Sequence, residues 1–315
     1  MEKRLPKCSI VILTYNRPDE ITRNVRELVA EFDDDVEIIV VDNCSETEVS
    51  RLLTAYSSRI KVIRLARNMG VSGRNVGISA AVSEIIVSLD DDVFGFSRES
   101  LEKVVSQFEN SKSLAALNFK VVDDKTLLQM NWIHHRRIEH WGDKPFETYE
   151  ISEGAVALRK RSFTKAGGYM DDFFISHEGP DLALRLMKAG ETVEYNPEIV
   201  VRHAHSLAGR ESWRRYYYDT RNLIWLTLRH FPVALLAKKM LVGLGAQFIY
   251  SLRDGYFKYW LKGIVDAIKG IKKIKKTRDP INGNVLREYR RIESYNPGLP
   301  YMIKIRLFKK DGIKI

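Results

Sequence analysis

The chain has 315 residues, 44% of them hydrophobic, which allows one large domain with an appendage and excludes global disorder. Its two cysteines, Cys8 and Cys44, build no disulfide framework, and Cys8 lies in an apolar run, so a reduced cytoplasmic setting is expected. The net charge of +10 divides unevenly: residues 207–315 hold 24 Lys+Arg against 8 Asp+Glu, and residues 1–206 hold 27 against 33. The basic part suits phosphates, either of nucleic acid or of an anionic membrane.

The start, MEKRLPKCSIVILTYN, does not read as a signal peptide, because its short apolar run leads into turn chemistry. CSIVILT (8–14) predicts a buried strand, broken by Thr14-Tyr15-Asn16-Arg17-Pro18, with a helix over 19–31. VEIIVVD (36–42), IKVIRL (60–65) and EIIVSLD (84–90) predict three more strands, and the Gly-spaced GVSGRNVGISAAV (70–82) a helix between the last two. Continuous β-branched runs separated by helices imply an α/β fold with a mostly parallel sheet covered on both faces. LAALNFKVV (114–122), GAVALRK (154–160) and 192–205 add strands; Pro180-Asp181-Leu182 opens a helix to Lys188. Residues 123–150 are irregular. A boundary is expected near 206, followed by long helical patterns over 210–230 and 232–276. No stretch offers the ~18 uninterrupted apolar residues of a membrane span. FPVALLAKKMLVGLGAQFIY is cut by Lys238 and Lys239.

Three predicted strands end in polar residues, Thr14, Asp42 and Asp90, and in open parallel sheets ligands bind at the carboxyl ends of strands. Neither Gly-x-Gly-x-x-Gly nor a Walker A loop follows any strand, which disfavours a dehydrogenase or a P-loop NTPase. The triplet Asp90-Asp91-Asp92 suits Mg²⁺ or Mn²⁺, which favour oxygen ligands and bridge to a diphosphate. The plainer reading is a solvated acidic turn.

SIVILTYNRPDEI, VEIIVVDNCSE, RNMGVSGRNVGI, VSLDDDVF and GAVALRKRSFTKAGGYMDDFFISHEGPDLALRLMKAG together resemble, in that order, the family 2 glycosyltransferases of GT-A fold. The resemblance covers about residues 8–230. It implies non-processive, inverting transfer from a nucleotide-diphosphate sugar, with UDP the favoured nucleotide, to a hydroxyl of a glycan or lipid-linked acceptor. It places Thr14, Tyr15, Arg17, Asp42, Asn68, Gly70, Arg74, Asp90 and Asp91 around the nucleotide sugar. Asp92 becomes the metal ligand of the DxD motif, with His203 (and, less well aligned, His205) as a further ligand. The family's Glu-Asp at a helix start is here Glu178-Gly179. Glu178, just outside the predicted helix, is the expected base, with Asp181 second. Gly154, Trp132 and Trp141 are candidates for the acceptor side. His134, His135 and His140 accompany the two tryptophans, with ordinary packing as the alternative.

Residues 207–315 are expected to lie on a membrane surface at the inner face of the cell membrane or else to cap the catalytic domain of 1–206. No recognition motif supports nucleic-acid binding. The rival functions are a non-catalytic sugar- or membrane-binding protein and a sugar nucleotidyltransferase, whose Gly-rich, Arg-bearing loop after the first strand is absent.

Overall fold

In the computed structural model, which describes residues 6–204, 212–298 and 301, the first apolar run forms β1 (Cys8–Thr14). α1 (Pro18–Glu31) follows with Pro at its start, then β2 (Val36–Asp42), the short α2 (Val49–Leu52) and β3 (Ile60–Arg64). A 3₁₀ turn, Gly70–Gly73, leads into α3 (Arg74–Ala80). β4 (Ile85–Asp90) turns through Asp91-Asp92 into the two-residue β5 (Val93–Phe94). α4 (Arg98–Asn110) is capped by Ser97, whose side chain accepts from the Ser100 amide. β6 (Leu114–Asp123), α5 (Ile138–Trp141), β7 (Phe146–Glu147), β8 (Ala155–Arg159), α6 (Lys160–Lys165), α7 (Glu178–Lys188) and β9 (Thr192–His203) complete the mixed part.

The nine strands form one sheet in the order β3-β2-β1-β4-β8-β6-β9-β5, with β7 also on β9. The parallel half is β3-β2-β1-β4, and β6 pairs β9 in parallel; β8 runs antiparallel between β4 and β6. The sheet is thus mixed, and its antiparallel pairs are not marked in the apolar runs, because a buried strand reads the same in either direction. Two core clusters cover its faces. One holds Ile10, Ile12, Val25, Phe32, Phe108 and Phe119; the other holds Val11, Ile39, Ile78, Leu158, Tyr169 and Leu182.

The basic part is helical: α8 (Ser212–His230), α9 (Val233–Arg253), α10 (Phe257–Lys276) and α11 (Gly283–Glu293). The long pattern expected over 232–276 is two helices, since Gly255 adopts φ +76° between them. Despite its two lysines, α9 is long and apolar enough to cross a membrane, by length and composition. These helices share a third core with the sheet-bearing part: Tyr149, Phe173, Leu184 and Met187 pack with Trp225, Phe231, Ala267 and Tyr289. The boundary expected at 206, and His205, lie outside the described residues.

Candidate active site

The sheet register assembles the cleft. Thr14 pairs with Asp42 across β1–β2, and Leu13 with Asp90 across β1–β4, so the strand-end polar residues share one edge. The acidic turn beyond β4 is pinned from α1. The buried Asn24 amide donates to the carbonyl oxygens of Asp90, Asp91 and Val93 at 3.1, 3.2 and 2.7 Å. Three carboxylates on one turn are thereby held in different settings.

Asp91 is buried, accepting from Thr14 Oγ1 at 2.8 Å and from Arg17 Nη1 at 2.9 Å. Burial raises its carboxyl to about 6, against the pull of Arg17 and with help from Asp92. Asp92 is fully buried. It takes Arg17 Nη1 on Oδ2 at 2.6 Å and faces His203 Nε2 from Oδ1 at 3.1 Å. β5–β9 pairing sets Val93 beside His203, and the Ala204 amide donates to the Asp92 carbonyl, so this contact is built by the sheet. Asp90 is the exposed member, with 40% of its side chain accessible, and it pairs with Arg74. Arg74 is no surface helix residue: it is 2% exposed and also donates to Ser88 Oγ and the Leu89 carbonyl.

At the other end of the cleft, Asp42 is buried between the Ser45 amide (2.8 Å) and Arg64 Nη1 (2.5 Å). A groove of about 190 Å³ beside it is lined by Asn16, Arg17, Pro18, Ser45, Thr47 and Leu52, with Tyr15 exposed nearby. Asn68 Oδ1 accepts from the Asn43 side chain and the Gly70 amide. Gly70 is glycine for another reason than a ligand. Its φ is +63°, and a Cβ there would lie 2.0 Å from the Phe174 carbonyl oxygen, so the close backbone approach is to the chain itself.

α7 begins at Glu178, two residues before Pro180, so Glu178 stands in the first turn rather than ahead of it. Glu178 is 3% exposed, and its Oε2 has no hydrogen-bond partner among the described residues. Burial drives its carboxyl up to about 7, against nearby backbone donors. A second carboxylate adjoins it. A Cβ on Gly179 would lie 2.4 Å from Glu153 Oε1, and burial together with the Glu178 charge pushes Glu153 well above the usual range. The next residue, Gly154, lies against the Asp90 carboxylate, where a Cβ would be 2.2 Å from Cγ. Residues 153 and 154 therefore touch both the acidic turn and the start of α7.

The loop before Glu178 holds Phe174, Ser176 and His177 at positive φ, a strained path for side chains. α8 clamps it: the Asn222 amide donates to the carbonyls of Phe173, Ile175 and Ser176, and Arg221 to those of Asp172 and Phe173.

Two expectations change. Asp181 is fully buried and held by Arg185, Arg229 Nη1 (2.7 Å) and His230 Nε2 (2.7 Å). Burial alone would raise its carboxyl, but these three partners bring it down to about 2. It is a structural anchor between α7 and α8, not a base open to an acceptor. Trp132 is 4% exposed, enclosed by His134, Phe146 and Tyr195, with its indole N–H on the Arg136 carbonyl. It offers no face to a sugar. Trp141 is partly exposed but packs on Phe146, Tyr295 and Arg136.

Among the described residues, no group of three or more His, Cys, Asp or Glu gathers as a ready metal cage. Asp92 and His203 still supply an oxygen and an imidazole nitrogen side by side, a donor set suited to a divalent ion that completes its shell with diphosphate and water. Asn131 supports the His203 ring at Nδ1, 3.1 Å away, as an orienting partner of a metal-bound imidazole would. Arg17 already pairs with both Asp91 and Asp92 and would share them with such an ion.

The sequence profile of Glycosyl transferase family 2 matches residues 9–168, just over half the chain, and spans the acidic turn, Arg74 and Gly154. The chain belongs to glycosyl transferase family 2. It is similar to the O-antigen chain rhamnosyltransferase WbaN of Salmonella anatum, 24% identical over 68% of this chain and 71% of that protein. It is also similar to the dTDP-rhamnosyl transferase RfbF of Shigella flexneri, 23% identical over 84% and 95%. Among solved structures, GalNAc-T7 with UDP, GalNAc and Mn²⁺ superposes with a TM-score of 0.60 at 14% identity; it covers 85% of this chain, which spans 58% of the GalNAc-T7 chain. The fold of this family 2 glycosyltransferase is thus the GT-A type with a helical C-terminal region.

The sequence did not point to Asn24, Asn131, Glu153 or Asn222. Each acts through a partner far along the chain, and no local pattern marks it.

Proposed function

We propose that this glycosyltransferase moves a sugar, with inversion, from a pyrimidine nucleoside diphosphate to a hydroxyl of a glycan or lipid-linked acceptor. The observation that carries the reading is the 153–154 bridge, which brings the buried Glu178 to the same cleft as Asp90 and Arg74. A carboxylate whose pKa is about 7 is matched to taking a proton at neutral pH. The acceptor O–H proton passes to Glu178 as the oxygen attacks the anomeric carbon. The bond from that carbon to the diphosphate oxygen breaks on the opposite face, and its electron pair leaves with the nucleoside diphosphate. Arg17 and Arg74, which pair with Asp92 and Asp90, would orient the diphosphate and take up its charge. A divalent ion held by Asp92 and His203, when bound, would neutralise the same departing charge.

Both relatives described above bear the name rhamnosyltransferase, one of them with dTDP, which favours a deoxyhexose donor; the complex of GalNAc-T7 with UDP favours uridine. A thermal-shift panel of UDP-, dTDP- and GDP-sugars, with and without Mn²⁺, separates these. A ligand at a hundred times its Kd adds ~2.7 kcal/mol of apparent stability. The expected result is a shift with a pyrimidine nucleotide that Mn²⁺ enlarges and Asp92→Asn removes. No shift with any nucleotide sugar would reject the donor assignment.

A further inference from the structure

α9 and α10 leave a set of large apolar side chains exposed. Leu241 is 77% exposed and Ile268 60%, with Phe248, Ile249, Leu252 and Leu261 exposed between them. At about 100° per residue, the exposed apolar side chains of α9 fall within one half of its circumference. Phe248 meets Phe257 and Trp260 edge-on, which joins the two helices into one surface.

These side chains face outward because the opposite face of α10 is fixed. Gly263 and Gly270 lie so close to α8 that added Cβ atoms would meet the Tyr217 carbonyl and the Trp225 ring, and Ala267 is fully buried. A row of exposed cations runs along α10: Lys258, Lys262, Lys269, Lys273 and Lys276, at helical spacings of four, seven, four and three. Two of the five also pair with acids, Lys269 with Asp266 and Lys273 with Asp172, while Asp254 is taken up by Arg253 and Tyr216.

Exposed apolar side chains alone do not name their occupant. The lysine row does. A second copy of this chain would have to cover these side chains while bringing another set of cations close to this one. A bilayer surface with anionic headgroups satisfies both parts at once, as amphipathic interfacial helices do. We propose that the α9–α10 face lies in the plane of an anionic lipid bilayer, with Leu241, Ile249, Leu261 and Ile268 at the acyl boundary and the lysine row at the headgroups. This does not depend on which carboxylate is the base or which sugar is moved.

The test is co-flotation of the full chain with vesicles of phosphatidylcholine alone and of phosphatidylcholine mixed with phosphatidylglycerol. The expected result is flotation with the anionic vesicles, reversed by high salt. L241E/I249E should weaken it roughly tenfold or more, and K262E/K269E should abolish the preference for anionic lipid. Neither pair touches the cleft, so melting temperature and nucleotide binding should stay as in wild type. Three results would overturn the proposal. One is no flotation with either vesicle. Another is retention through both salt and alkaline carbonate, which would make α9 a span. The third is a dimer that L241E/I249E dissolves while vesicle binding is absent.

Discussion

Glu178 carries two consequences with opposite signs. Its carboxyl is displaced upward, from 4.5 to about 7, by burial. The folded state therefore holds its proton more tightly than the unfolded chain, so this contribution to stability is present below pH 4.5 and is lost as pH rises through about 7. At about 1.4 kcal/mol per tenfold, the loss by pH 8 is roughly 3 kcal/mol. The proposed role as base needs the ionised form, so turnover should rise over the same interval. Glu178→Gln is expected to lower kcat by roughly 10²–10⁴ while raising stability at pH 8 and flattening its dependence on pH. Denaturant unfolding at pH 5 and 8, beside a pH–rate profile, checks both. Arg17 offers a second test. Arg17→Ala removes the guanidinium shared by the buried Asp91 and Asp92, keeping Thr14 on Asp91 and His203 beside Asp92, which should destabilise by roughly 3 kcal/mol. Mn²⁺ should then raise the Tm of the variant more than that of wild type. Equal shifts would place the ion elsewhere.

Elements differ in how far they announce themselves. β1, β2 and β4 are legible because each is an unbroken apolar run, and their ends, Thr14, Asp42 and Asp90, become neighbours once the strands align in parallel. Asp92 and His203 could be nominated from motif resemblance, but their contact depends on the two-residue β5, too short to leave a pattern. The role of Asp181 was not legible at all, since Arg229 and His230 lie 48 and 49 residues away. A helix-start aspartate looks the same whether it meets solvent, substrate or a buried guanidinium. Asp181→Asn is expected to cost roughly 3–5 kcal/mol near neutral pH, because it strands Arg229 and Arg185 in the interior. Its low folded pKa gives stability that is present above about pH 4 and lost as pH falls through about 2, so wild type and variant should converge in acid. Gly154→Ala tests the junction of β8 with the acidic turn: the added methyl must displace the Asp90 carboxylate, and turnover should fall with little change in Tm.

For the molecule as a whole, the change of composition near 206 reads as a domain boundary, yet α8, α10 and α11 complete a core with Tyr149, Phe173 and Leu184. Composition reports charge, and charge lies on the surface; it is silent about which buried faces are shared. A chain ended after residue 204 is therefore expected not to fold cooperatively. It would expose that cluster and leave Asp181 without Arg229 and His230, two of its three partners. A sharp, reversible melt for the truncated chain would show two separable units instead.

The clamp that Asn222 places on the 173–176 carbonyls gives the proposed base an unusual mechanical address. Glu178 follows a left-handed stretch that would wander if left to itself, but its coordinates are inherited from α8, a nineteen-residue rod. An amide can hold three carbonyls only by offering hydrogens, so Asn222→Asp would turn donor into acceptor and set like partial charges face to face. The placement of Glu178 is thus set by a side chain of α8, the helix against which α10, the element proposed to meet lipid, is packed.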